Sequence, residues 1–407
     1  MMDQHFGFSE LAKQATLQPK EALLEKRNPN QILYIGVPKE TTLQEGRIPL
    51  TPSSIQLLVN NGNEVWIETG AGKNAHFTDH DFSEAGAKIC FTKEEVFKAN
   101  IILKVEPPTE EEINLLTSQH VLISALQHAS KSDVFMKQLM QKKVTALAYE
   151  NLKDNDGLFP VIRSLSEIAG IASISIADEL LSSTYGGKGE MLGGTTGIPP
   201  TEIVIIGAGT VGEYAAKSAL GKGATVKVFD YSLSKLRRIQ DNVKSSIFTS
   251  LLHPKIICKA LQTADVVIGC MRSEDGRSPI IVTEEMVSQM KPMSVIIDIS
   301  IDQGGIFETS ETTTLKNPTF IKHDVIHYCV PNITSRVCRT ASYALSNVFT
   351  PLLIKLGEAK DIPTFLYNNA GVRNGVYVYK GNLTNKHIGK RLNIYHKDLD
   401  LLLSAHI

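Results

Sequence analysis

The chain has 407 residues, more than one ordinary hydrophobic core organises, so two domains are expected. A formal net charge of −1 gives nucleic acid and anionic membrane no electrostatic hold. No apolar run reaches the about 18 residues of a membrane span, and Asp3 and Glu10 break up the start, so neither a signal nor a transit peptide is expected.

Residues 1–31 form a polar leader in which Ser9 to Arg27 can make helix. Ile32 to Val37 reads as a strand, followed by the loop Pro38-Lys39-Glu40 and on to Arg47-Ile48-Pro49-Leu50-Thr51-Pro52. Ser53 to Asn61 has helical spacing, and Asn61-Gly62 turns into a strand at Glu64 to Ile67. Further strands are expected at Ala99 to Val105, with Lys104 near the end, at Val121 to Leu126 running into Gln127-His128, and at Val144 to Tyr149. Strands alternating with helices make this half α/β with a mainly parallel sheet. Chemistry in such sheets gathers at the carboxyl ends of strands, where Arg47, Lys104 and Gln127-His128 fall. An arginine in a loop is usually a solvated charge, and a histidine after a strand is often a surface residue. A lysine directly after three aliphatics is harder to explain without a task.

A small-residue helix is expected from Ser164 to Leu181, as a connector between domains. A glycine-dense loop, Tyr185 to Gly194, leads to Pro199-Pro200. Glu202 to Ile206 is a short β-branched run suited to a strand buried on both faces. Gly207, Gly209 and Gly212 follow at the spacing G-x-G-x-x-G, then a helix over Val211 to Leu220, a strand over Ala224 to Phe229, and Asp230 at its tip. In this order the first glycine makes a tight turn, the second admits a pyrophosphate, and the third lets the helix pack on the strand. The helix N-terminus at Ala208, Thr210 and Val211 offers amides to phosphate, and Asp230 can accept from a ribose hydroxyl. The acid favours NAD over NADP, since it repels a 2′-phosphate. Later strands are expected at Asp265 to Gly269 and Ser294 to Ile299, the latter leading to Asp302. Arg336 precedes a returning helix, Ser342 to Leu356, and residues 357–407 read as a polar tail with helical pieces. Cys90, Cys258, Cys270, Cys329 and Cys338 include no C-x-x-C pair and read as reduced packing residues of a cytoplasmic protein.

Taken together, Gly36-Val37-Pro38-Lys39-Glu40, Arg47-x-x-Leu50-Thr51-Pro52, Leu103-Lys104-Val105, Tyr149-Glu150, Ser166-Glu167-x-Ala169-Gly170, the glycine triplet, Asp298-x-x-x-Asp302-Gln303-Gly304-Gly305 and Tyr328-Cys329-Val330-x-Asn332 resemble the alanine dehydrogenase family. That family includes the NAD-binding subunit of pyridine nucleotide transhydrogenase. The resemblance spans about residues 32 to 370. It implies two Rossmann-like α/β domains with parallel sheets and an active site in the interdomain cleft. It also implies a discontinuous substrate domain, 32–160 plus 338–407, interrupted by an NAD-binding domain over 161–337. The implied reaction is reversible oxidative deamination of L-alanine to pyruvate and ammonia with NAD, in a homo-oligomer, often a hexamer. By the same resemblance Arg47, Lys104 and Asn332 bind substrate, Asp302 sits beside the nicotinamide ribose and the reacting centre, and Ser166 joins the glycine loop in holding cofactor.

One position departs from the family pattern: Gln127 stands where an acid/base histidine is expected, with His128 one residue later. A glutamine cannot exchange a proton, and one step along a strand end reverses the side chain's direction. Three outcomes stay open: Asp302 or Lys104 carries protons through water, His128 turns inward, or another amino or oxo acid is the substrate. Two other functions are weighed beside this one. A transhydrogenase-like hydride carrier needs an NADP-binding partner and a membrane segment. A non-catalytic NAD sensor would keep the glycine turn and Asp230 but not the substrate residues.

Overall fold

A computed structural model describes residues 31–41, 45–126, 132–243, 245–272 and 277–404. The expected leader helix, Gln127 and His128 lie outside the described residues. The first sheet begins with β1 (Tyr34–Val37), β2 (Glu64–Glu68), β3 (Lys88–Cys90), β4 (Ile101–Leu103), β5 (Val121–Ser124) and β6 (Thr145–Ala148). The second is built from β7 (Glu202–Ile206), β8 (Thr225–Asp230), β9 (Phe248–Leu251), β10 (Val266–Gly269), β11 (Val295–Asp298), β12 (Thr319–Lys322) and β13 (Val325–Tyr328). The chain then returns to complete the first sheet with β14 (Val376–Tyr379) and β15 (Asn382–Leu383). The strand orders are β15-β14-β6-β5-β4-β1-β2-β3 and β12-β13-β11-β10-β7-β8-β9.

The central strands are parallel, Ile35 beside Val65 and Ile205 beside Ile268, while antiparallel pairings (β12 with β13, β14 with β6, β15 with β14) occur toward the edges. Short β-branched runs suit this arrangement because both faces are covered. Ile203 and Ile205 face one core layer with Ala215, Ala216 and Ala219; Val204 and Ile206 face another with Ile257 and Leu261. The first sheet is covered in the same way, with Ile101 and Leu103 on one side and Ile102 on the other.

Two long helices join the halves: α1 (Pro160–Leu181), and the return helix introduced below. α1 starts four residues before the expected Ser164, with Pro160 in the first turn, where its fixed φ and missing N–H cost nothing. Among the described residues α1 alone is long and apolar enough, by length and composition, to cross a membrane, although Arg163, Glu167, Asp178 and Glu179 interrupt its apolar run. Here it is packed against α2 (Thr210–Gly221), the helix that follows the glycine turn. A Cβ on Gly170 would stand 2.4 Å from the Val211 carbonyl oxygen and 2.8 Å from the Ala215 nitrogen, so the two backbones meet there. Gly170→Ala is therefore expected to cost about 1–3 kcal/mol through overpacking, read as a lower midpoint of thermal unfolding. An unchanged midpoint would show that the helices separate freely.

The polar tail expected after residue 357 is in part sheet. Val376, Val378 and Tyr379 are buried, and β14 pairs with β6 through Val376–Leu147 and Val378–Ala146. The expected strand Ala99 to Val105 shortens to Ile101–Leu103, which leaves Lys104 as the first residue beyond the strand end. The return helix starts earlier than Ser342, at Cys338, and runs to Glu358.

Candidate active site

The glycine turn has the steric form its spacing implies. Gly207 has φ +120°, a left-handed value that favours glycine, and a Cβ there would stand 2.7 Å from the Cys270 carbonyl oxygen. A Cβ on Gly212 would fall 1.9 Å from the Gly207 carbonyl oxygen, so no side chain fits between turn and helix. A Cβ on Gly209 would meet nothing within 4 Å, which leaves open space over the helix N-terminus. The first hydrogen bond of α2 runs from Glu213 N–H to the Gly209 carbonyl, so Thr210, Val211 and Gly212 lie in the turn whose amides precede it. An opening beside such amides fits a dinucleotide pyrophosphate.

Asp230, only 3% exposed and at the tip of β8, accepts from Ala208 N at 2.7 Å and Ser232 N at 2.8 Å, so it braces the turn. Arg238 donates to the Ala208 carbonyl at 2.9 Å. Ser166 is half-buried on α1, one turn before Gly170 and on the same face.

In the first sheet, the loops that carry Arg47 and Lys104 follow β1 and β4. These neighbouring strands lead away in opposite directions across the sheet, forming the crevice where such folds bind ligands. Both cations are buried, and both are held by carboxylates. Glu45 accepts from Arg47 Nε at 2.8 Å and from Nη2 at 2.5 Å. Glu106 lies 3.3 Å from the same Nη2, and Arg47 Nη1 donates to Thr334 Oγ1 at 3.0 Å. The bidentate grip expected for a substrate is thus taken on one edge of the guanidinium by Glu45. Burial alone would raise the Glu45 pKa, but the charge and hydrogen bonds of Arg47 lower it to about 2. Burial, then the charge of Glu45, pushes Glu106 the other way, up to about 8.

Lys104 Nζ donates to Glu40 Oε2 at 3.0 Å and Glu112 Oε1 at 3.3 Å. Burial opposes its charge, yet Glu40 and Glu112 outweigh burial and raise its pKa. The raised value favours its charged form, which suits an electrostatic anchor. Glu40 in turn accepts from Val105 N at 2.7 Å, and Tyr149 donates to the Val105 carbonyl at 2.7 Å.

The second domain meets this cluster directly. Asn332, at a left-handed φ of +56° that asparagine tolerates, donates from Nδ2 to Glu45 Oε2 at 2.5 Å. Its backbone N–H donates to Asp302 Oδ1 at 3.2 Å, and Ser335 donates to Glu45 Oε1 at 2.8 Å. Asp298 braces the turn bearing Asp302: it accepts from Ser300 N at 3.0 Å, Ile306 N at 3.0 Å and Ser310 Oγ at 2.7 Å. Burial raises the Asp298 pKa to about 6 against the pull of those bonds. Arg47, Asn332 and Asp302 are thereby linked through one polar network across the cleft, with Lys104 beside it. Sequence reasoning passed over Glu45, Glu106, Glu112 and Thr334, although two of these carboxylates sit two residues from a singled-out cation.

The N-terminal domain of the alanine dehydrogenase/PNT family matches residues 36–169, and its C-terminal domain matches residues 173–386. The chain is 38% identical over 360 residues to an alanine dehydrogenase of Methanococcus maripaludis, covering 88% of this chain and 96% of that one. It is 37% identical over 369 residues to alanine dehydrogenase 2 of Staphylococcus aureus, covering 90% and 99%. A solved L-alanine dehydrogenase superposes with a TM-score of 0.83 at 34% identity, over 89% of this chain and 99% of that chain. A transhydrogenase from Sinorhizobium meliloti shares the fold, with a TM-score of 0.75 at 21% identity over 87% and 99%. With both family domains present in order and relatives matched over nearly their full length, the chain belongs to the alanine dehydrogenase/PNT family.

Proposed function

We propose that the chain is an NAD-dependent alanine dehydrogenase that interconverts L-alanine with pyruvate and ammonia. The observation that carries the reading is the network joining Arg47 of one domain, directly and through Glu45, to Thr334 and Asn332 of the other. A small 2-amino acid needs a guanidinium for its carboxylate, and Arg47 keeps its Nη1–Nη2 edge toward the second domain. Lys104, held charged between Glu40 and Glu112, supplies positive potential where negative charge develops on oxygen. Thr210, Val211, Gly212 and Asp230 would hold the dinucleotide, with Ala208 tied to Asp230, and Ser166 and Asp302 flanking it. Bound NAD supplies the hydride acceptor. Closure of the two lobes holds the reacting carbon in place and excludes water.

A cytoplasmic location and homo-oligomeric assembly, a hexamer included, belong to the same reading; the free state of all five cysteines agrees with the first. Purified protein given NAD and L-alanine at alkaline pH is expected to produce NADH absorbance, with NADP much poorer because Asp230 repels a 2′-phosphate. Silence in both directions, with pyruvate, ammonia and NADH as the reverse test, would reject the reading.

A further inference from the structure

Glu106 stands just beyond the end of β4, two residues after Lys104, and its side chain reaches the gap between the domains. Its Oε1 lies 3.3 Å from Arg47 Nη2 in the first domain and 3.5 Å from Asn332 Nδ2 in the second. Glu45 holds Arg47 closely, at 2.8 and 2.5 Å, while Glu106 touches it only at the longer distance. Nε–H and one Nη2–H go to Glu45, the other Nη2–H faces Glu106, and Nη1 donates to Thr334. A substrate carboxylate gripping the Nη1–Nη2 edge must therefore displace Glu106, the weaker of the two carboxyl partners. The displaced group then borders a ligand whose amino-bearing carbon is directly bonded to the carboxylate on Arg47.

On this geometry we infer that Glu106 is a catalytic residue, the carboxyl that takes a proton from the substrate ammonium in deamination and returns it in the reverse reaction. The inference rests on the alanine dehydrogenase reading. In the forward step an N–H bond breaks, an O–H bond forms on Glu106, and the electron pair stays on nitrogen. The reverse step moves the same proton back.

The charges around Glu106 suit this task. It faces Glu45, Arg47, Glu40 and Tyr149, with Lys104 two residues before it and tied to Glu40 and Glu112. Two carboxyls sharing one guanidinium cannot both ionise cheaply, so the proton stays on the one held less tightly. Arg47, Lys104 and Tyr149 all have raised pKa values and keep their protons, and Glu45 is too acidic to hold one. Glu106, pushed by burial and then by Glu45 to about 8, can both accept and donate near neutrality.

The test is kcat and kcat/KM against pH with L-alanine and NAD for the wild type, Glu106→Gln and Glu106→Asp, with NADH binding followed by fluorescence. Wild-type kcat/KM is expected to rise through an inflection near pH 8. Glu106→Gln should lose that inflection and about 10²- to 10⁴-fold of kcat while still binding NADH. Glu106→Asp should restore an inflection and part of the rate. An active wild type whose Glu106→Gln form keeps the inflection and a near-normal kcat overturns the inference alone. So does a Glu106→Asp form that binds NADH but is no faster than Glu106→Gln. A wild type inert in both directions overturns the dehydrogenase reading, and the role of Glu106 with it.

Discussion

Replacing Lys104 with methionine is expected to lower the unfolding free energy by about 3–5 kcal/mol at pH 8, because it leaves buried carboxylates without their cation. Lys104 is 1% exposed, and the side chains of its partners Glu40 and Glu112 are 5% and 0% exposed. Methionine fills much of the same space, so the lost charge dominates over the lost volume. For a domain of this size the drop corresponds to roughly 6–20 °C in the unfolding midpoint. The sign of its pH dependence follows from Glu40, whose pKa burial already raises in the intact protein. An acid with a raised folded value binds more protons folded than unfolded, so stability falls as pH rises through that window. The methionine form, with the opposing pull of Lys104 gone, should show a wider window and recover toward the wild type as pH falls and Glu40 protonates. Turnover should vanish as well, but NADH binding below the melting range should persist, since Lys104 touches no part of the glycine turn. Denaturant unfolding at two pH values checks this; an equal loss at both would mean that packing, not charge, carries the effect.

The second domain was legible because its constraints are steric and local. Gly207 and Gly212 are glycine where a Cβ would overlap backbone, and the flanking runs of Ile203 to Ile206 and Val226 to Phe229 are strands on either side of one helix. β14 was missed because its reason for being a strand lies far along the chain: Val376 and Val378 are ordered by pairing with Leu147 and Ala146. β9, an edge strand with partly exposed residues, gives no buried run to read. At the site, the cations were found but not the groups that hold them. Glu45 and Glu106 were visible beside Arg47 and Lys104, yet which of them turns inward depends on loops folded over Arg47 by Thr334, 287 positions later. Glu112 reaches Lys104 from the short helix Glu110–Leu115, whose capping box with Thr109 occupies its other oxygen. The missing imidazole at Gln127 raised the question of the proton carrier; the inferred role of Glu106 answers it from the residue just past the Leu103-Lys104-Val105 motif, which itself was not singled out.

Arg47→Lys separates the two tasks of the guanidinium. One edge neutralises Glu45, whose side chain is 0% exposed, and the other faces the second domain through Thr334. A lysine is a single point charge on a flexible stem, so it can stand near Glu45 but cannot also present a planar fork across the cleft. The protein should therefore fold and bind NADH, with the KM for L-alanine raised roughly 10- to 150-fold, the factor for the 1.5–3 kcal/mol of a charged hydrogen bond. Arg47→Met removes both tasks, leaves Glu45 buried and unpaired, and should cost about 3–5 kcal/mol of stability besides. The two variants together give the decisive contrast: affinity lost with the fold intact in one, fold and affinity lost in the other. A lysine form with an unchanged KM would mean that the substrate carboxylate is held elsewhere, since no single ammonium reproduces two parallel N–H bonds.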